Sequence, residues 1–200
     1  MRPARHAPTA SKSKFRMGQM NSSPGWIEAG RSYAVRRSTA DRHWVSTNRA
    51  LLAWLKTRCP ALFLAQEIAA SIRERIEALF PLMEDLCRAT CPWCPEPCCI
   101  VTRVWFDFRD LLFFHLVAAP LPPGPIGRKG SACRYLSGHG CRLPRLLRPW
   151  ACSQYLCATQ RRFLAKTKGK EKVLALDAEI TEIAMMRIAM EEAVQKTVGQ

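Results

Sequence analysis

The chain has 200 residues, 48% of them apolar, which suits one ordinary domain with extensions and excludes a wholly disordered polymer. Its formal charge is +15, and ten Lys and Arg side chains lie in the first 49 residues against only Glu28 and Asp41. The longest apolar run, Leu111 to Leu121, is interrupted by His115 and ends among Pro120, Pro122 and Pro123, short of the ~20 residues needed to span a bilayer.

Residues 1–45 read as a basic, disordered extension, because their composition cannot bury a core. Clustered cations of this kind attract nucleic acid or anionic lipid without sequence preference. The Arg-rich, acid-poor opening is similar to an organelle transit peptide, and Met17 and Met20 are alternative first residues. No apolar stretch suited to a secretory signal precedes Arg49, so a soluble, cytoplasmic protein is expected. Residues 46–200 are expected to form a single metal-binding domain.

Thr47-Asn48 offers an N-cap for a short helix through Lys56, stopped by Pro60. From Ala61 onwards Ala65, Ile68, Ala69, Ile72, Ile76, Leu79 and Met83 share one helical face, while Glu67, Arg73, Glu74 and Glu77 take the other. Pro81 is expected to kink or divide that helix. Residues 88–100 lose periodicity, and Pro92, Pro95 and Pro97 forbid a continuous helix there. Val101 to Phe106 predicts a short strand, and Asp107 a cap for a helix to about Ala118. A Pro/Gly loop follows from Pro120 to Gly130. Glu171 to Val198 reads as a second strong helix, with Val173, Leu176, Ile180, Ile183, Met190 and Val194 on its apolar face and Arg187 as the polar intruder. The expected fold is therefore mainly α, with long helices flanking irregular cysteine-rich loops organised by metal. The middle segment shows little apolar material of its own.

Nine of the ten cysteines fall within residues 87–157. Disulfides suit an even count, yet they belong to oxidising compartments. Isolated thiols are usually buried in cores, which is the expectation for Cys59. Metal ligation explains the spacing of the others. Cys91-x2-Cys94 brings two thiolates to one ion across a tight turn, and the flanking prolines reduce the entropy lost when ligands converge. Cys98-Cys99 adds an adjacent pair whose side chains, in extended backbone, point opposite ways. Cys133, Cys141, Cys152 and Cys157 supply four more thiols from loops.

Cys91-Pro-Trp-Cys94-Pro-Glu-Pro-Cys98-Cys99 resembles the CxxCxxxCC signature of the YkgJ-type cysteine-cluster family, described as zinc- or iron-chelating proteins. Cys133-Arg-Tyr-Leu, Gly140-Cys141 and Arg148-Pro149-Trp-Ala-Cys152, followed by Cys157, are similar to the family's later elements in the same order. The resemblance covers roughly residues 87–160. It implies a metal set of Cys91, Cys94, Cys98, Cys99, Cys133, Cys141, Cys152 and Cys157, holding zinc, iron or an iron–sulfur centre. Cys87 is extra to that set, and the interval from Cys141 to Cys152 is long for it. The family is similar to the metal-binding part of flagellin lysine methylases, which leaves an enzymatic role open without locating an active site.

Three other readings compete. Cys87-x3-Cys91-x2-Cys94 has the spacing of the radical S-adenosylmethionine motif, but the 106 residues after Cys94 lack the succession of strand–helix units such enzymes need. A zinc-stabilised nucleic-acid-binding module would use Arg142, Arg145, Arg148, Arg161 and Arg162, although zinc ribbons usually carry two CxxC knuckles. His139 is an alternative ligand beside Cys141. His115 reads as a satisfied core histidine, Asp107 and Asp110 as caps before an acid pair, and Arg148 as support for the cysteine loop.

Overall fold

Trp44, Asn48, Leu51 and Leu55 recur at intervals of four, three and four residues, which places them along one side of a helix. All four are buried in α1, Arg37–Lys56. The structure, a computed structural model, describes residues 37–129, 132–137 and 140–197. The helix thus extends well before Thr47, and a boundary after residue 45 would cut through it. Asn48 is no cap: its side-chain amide donates to the Trp44 carbonyl at 2.9 Å, and its oxygen meets His115 Nε2 at 3.0 Å. His115 is the satisfied histidine the sequence suggests, and burial lowers its pKa.

A one-turn 3-10 segment, Cys59–Leu62, leads into α2, Phe63–Thr90. Ala65, Ala69, Ile72, Ile76 and Met83 of the expected stripe are buried, and the face bearing Glu67, Arg73, Glu74 and Glu77 is exposed. Pro81 does not divide the helix. It lies on the exposed side, as does Glu77, whose carbonyl loses its partner there and can turn to water.

Beyond the cysteine segment, Val101 to Phe106 is not a strand. Cys98–Val101 forms a single helical turn, α3, and extended chain follows it. Asp107 caps α4, Phe108–Leu116, as expected: it accepts the Asp110 N–H at 2.7 Å while Asp110 accepts the Asp107 N–H at 3.0 Å. α4 ends with Ala119 N–H on the Phe114 carbonyl and Ala118 N–H on that of His115, a Schellman arrangement that puts Ala118 at φ 51°. Ala pays a Cβ penalty there that Gly avoids. Ala118→Gly is therefore expected to stabilise the protein by up to about 1 kcal/mol, the left-handed penalty of an L-residue less glycine's greater unfolded-state entropy, read as a higher urea midpoint with an unchanged m-value.

Two minimal hairpins occupy the region the sequence leaves as loop. β1 (Arg128–Lys129) pairs antiparallel with β2 (Ala132–Cys133), and β3 (Leu136–Ser137) with β4 (Gly140–Cys141). A 3-10 turn, Arg145–Leu147, and the short α5, Trp150–Ser153, precede α6, Ala158–Lys168, which lay unrecognised in the sequence. Gly169, at φ 90°, turns the chain into α7, Lys170–Lys196.

α2 and α7 share the most extensive helix contact, and α6 lies against both. The main core joins them to α1 and α4 and also takes Phe106, Ile126, Tyr135, Leu143, Leu147 and Trp150. The middle of the chain thus contributes apolar anchors that its irregular spacing conceals. Trp44 and Phe106 stack with ring centroids 5.0 Å apart, and Phe114 meets Phe106 edge-on. A satellite core of Met83, Leu86, Leu156, Leu164 and Leu176 lies where α2, α6 and α7 meet.

Arg187, the intruder on the α7 stripe, is 3% exposed. Its Nη2 donates to Asp110 Oδ1 at 2.8 Å and to Asp107 Oδ1 at 3.0 Å, and Trp150 N–H donates to the same Asp110 oxygen at 3.0 Å. The caps of α4 therefore double as counter-ions for α7. Burial pushes the Asp110 carboxyl up to about 7 against the opposing pull of Arg187.

Candidate metal centre

The nine cysteines between Cys87 and Cys157 are all free thiols, with Cys91 and Cys98 exposed and the others half-buried. Cys87 lies in the last turn of α2, and Cys91 opens the 3-10 turn Cys91–Trp93 that continues it. Cys94 follows in extended conformation, its N–H on the Cys91 carbonyl at 3.2 Å. The prolines act here as the sequence suggests, since Pro92 sits within the first turn of the 3-10 segment and Pro97 immediately precedes α3.

Cys98 and Cys99 are not an extended pair. Both belong to α3, where successive side chains diverge by about 100° rather than 180°, and their thiols hydrogen-bond to each other. The Cys99 thiol holds the Cys98 thiolate, which brings Cys98 down to about 6 against the effect of burial. Donating that bond pushes Cys99 strongly upward, helped by burial and by the nearby Cys98, Cys141 and Cys133. α3 lies against β2, which carries Cys133. Burial first, then Cys141, Cys133 and Cys98, raise Cys152 of α5 to about 12. Five sulfurs from α3, two hairpins and α5 thus share one electrostatic neighbourhood.

Cys157 takes the N-cap position of α6, where sulfur replaces the usual oxygen. Its Sγ accepts the Gln160 N–H at 3.4 Å, and its own N–H donates to Gln160 Oε1 at 3.2 Å. The Gln160 amide, 5% exposed, also reaches Cys87 Sγ at 3.6 Å and Cys91 Sγ at 3.8 Å. Burial and then Cys87, by charge and hydrogen bond, raise Cys91 to about 11, while the Thr90 hydroxyl pulls it down. The buried Arg145 guanidinium donates to Cys87 Sγ at 3.2 Å and to Glu84 at 2.7 Å. Arg148 supports the loop, donating to the Leu143 carbonyl at 2.9 Å.

Sequence reasoning missed the roles of Cys87, Arg145 and Gln160. The available signal was Cys157-x2-Gln160, a capping box with an unfamiliar first letter. His139 and the side chain of Cys59 lie outside the described residues. Among the described residues, no group of three or more His, Cys, Asp or Glu side chains is arranged to hold a metal ion. The chemistry of the donors nonetheless suits a soft ion: many thiols, with Arg145 and Gln160 supplying hydrogen bonds to sulfur. After Cys94 the described residues form only two-residue strands, so a partial barrel of the radical S-adenosylmethionine kind is not built there. No helix among the described residues is long and apolar enough to cross a membrane. Comparisons with protein-family models, curated proteins and solved structures returned no match for this chain.

Proposed function

We propose that this chain is a metal-binding cysteine-cluster protein that chelates zinc or iron, as its resemblance to the YkgJ-type family implies. Cys91, Cys94, Cys98, Cys99, Cys133, Cys141, Cys152 and Cys157 would hold the metal, and the ion would act as a thiolate-bound structural or redox centre. The observation that carries this reading is that free thiols from separate segments lie near one another, Cys98, Cys99, Cys133, Cys141 and Cys152 in one neighbourhood and Cys87, Cys91 and Cys157 about Gln160. Buried cysteines with a purely packing role have no reason to collect beside Arg and Gln donors aimed at sulfur.

Metal and acid-labile sulfide analysis of anaerobically purified protein tests the reading directly, and a colourless zinc protein or a brown iron–sulfur protein is expected. Metal removal gives a second, local signature. Among the described residues, 91–101 bury no side chain fully and 132–141 bury only Tyr135, so ligation energy would be their main source of order. Hydrogen exchange after chelation is expected to rise there while α2, α4 and α7 stay protected. Cys94→Ser or Cys98→Ser should reproduce that pattern at neutral pH. Metal-free wild-type protein with unchanged protection, together with silent variants, would count decisively against a metal centre.

A further inference from the structure

The described sulfurs lie in two surroundings. Cys87 and Cys91 Sγ both lie within reach of the Gln160 side-chain amide, at 3.6 and 3.8 Å, and the Gln160 backbone N–H meets Cys157 Sγ at 3.4 Å. Leu86 and Leu156, the immediate neighbours of Cys87 and Cys157, belong to the satellite core. Cys133 and Cys141 instead pack against the main core and influence Cys99 and Cys152. Cys98 acts on Cys91 across the two surroundings, more weakly than Cys87 does.

We propose that Cys87, Cys91 and Cys157 form a thiolate metal site of their own, separate from the one served by Cys98, Cys99, Cys133, Cys141 and Cys152. The chain would then take up two soft-metal ions. This inference rests on the metal-binding reading and extends it to Cys87, which the family resemblance leaves out. Three helical positions define the site: the last turn of α2, the start of the 3-10 turn after it, and the N-cap of α6. Cys87 and Cys157 are therefore held by packed helices, while Cys91 opens the segment whose order the ion would supply. Arg145 offsets thiolate charge at Cys87, and the N-terminus of α6 favours negative charge at Cys157. Cys91 is exposed, so the fourth position of a tetrahedral ion opens to solvent or to Cys94.

The test is an anaerobic titration of the metal-free full chain with Co2+, followed by near-ultraviolet thiolate-to-cobalt absorption, with bound zinc counted separately by mass spectrometry. Two ions per wild-type chain are expected. Cys87→Ser and Cys157→Ser, on different helices, should each lose one ion while keeping the helical circular dichroism. Cys133→Ser should lose the other. A wild-type chain that binds one ion, kept by Cys87→Ser and lost by Cys133→Ser, would overturn the second site and leave the metal-binding reading intact. Retention of two ions by both Cys87→Ser and Cys157→Ser would also overturn it. Absence of any bound ion from the wild type would remove the metal-binding reading itself.

Discussion

Arg187→Met is expected to destabilise the protein by roughly 3–5 kcal/mol, the range seen when one partner of a buried ion pair is removed. Arg187 and Asp110 are each 3% exposed, and the Asp110 carboxylate would be left with only backbone N–H donors from Asp107 and Trp150. Methionine fills much of the volume but supplies no charge. The deficit should also depend on pH. Burial already raises Asp110 above an ordinary carboxyl, to about 7. A carboxyl raised on folding gives stability that is present below its unfolded pKa and lost as pH rises through the folded one. Removing Arg187 takes away the pull that opposes this rise, so the loss extends to higher pH. Urea unfolding at pH 5 and pH 8 should therefore show a smaller deficit at pH 5. Arg73→Ala, which breaks an exposed pair with Glu77 at 2.8 Å, should change stability by under about 1 kcal/mol. Equal effects for the two substitutions would mean that Arg187 is not a buried counter-ion.

Trp44→Ala is the second large effect, at about 3–5 kcal/mol. The indole is 3% exposed, stacks on Phe106, and donates Nε1–H to the Pro122 carbonyl at 3.1 Å. Truncation leaves a cavity under α4 and an acceptor without its donor. Deletion through residue 44 carries the same cost, contrary to what a disposable tail up to residue 45 implies. Chemical denaturation of Trp44→Ala, Trp44→Phe and wild type should rank them in that order of increasing stability. A wild-type midpoint for Trp44→Ala would place the indole outside the core.

The sequence made the long elements legible where apolar side chains recur without interruption. α2 and α7 follow from their stripes, and the start of α4 follows from Asp107. α1 was concealed because Asn48, a polar residue, fills one of four buried positions and resembles a cap. α6 was concealed because Leu164 is its only buried apolar residue and basic side chains dominate the rest. The Val101 to Phe106 stretch has strand-forming residues, but no partner edge accompanies it; its side chains are spent on core and surface instead. The candidate site was legible in composition, since spacing pointed to Cys91 through Cys157. The meeting of Cys87, Cys91 and Cys157 at Gln160 was not, because it depends on which helix ends meet, and local spacing carries no record of that.

Gly169 turns α6 back onto α7 with a single residue. α6 and α7 both rest on α2, so the route from Cys87 to Cys157 runs through close-packed helices and bypasses the hairpins altogether. Emptying the sulfurs leaves that route standing. The helices that carry Cys87 and Cys157 would then have no order to regain before those two sulfurs meet, whereas residues 91–101 would have to be ordered again. If the proposed site takes up an ion, the frame carrying two of its sulfurs would stand ready before the ion arrives, unlike a zinc finger, which folds only around its metal.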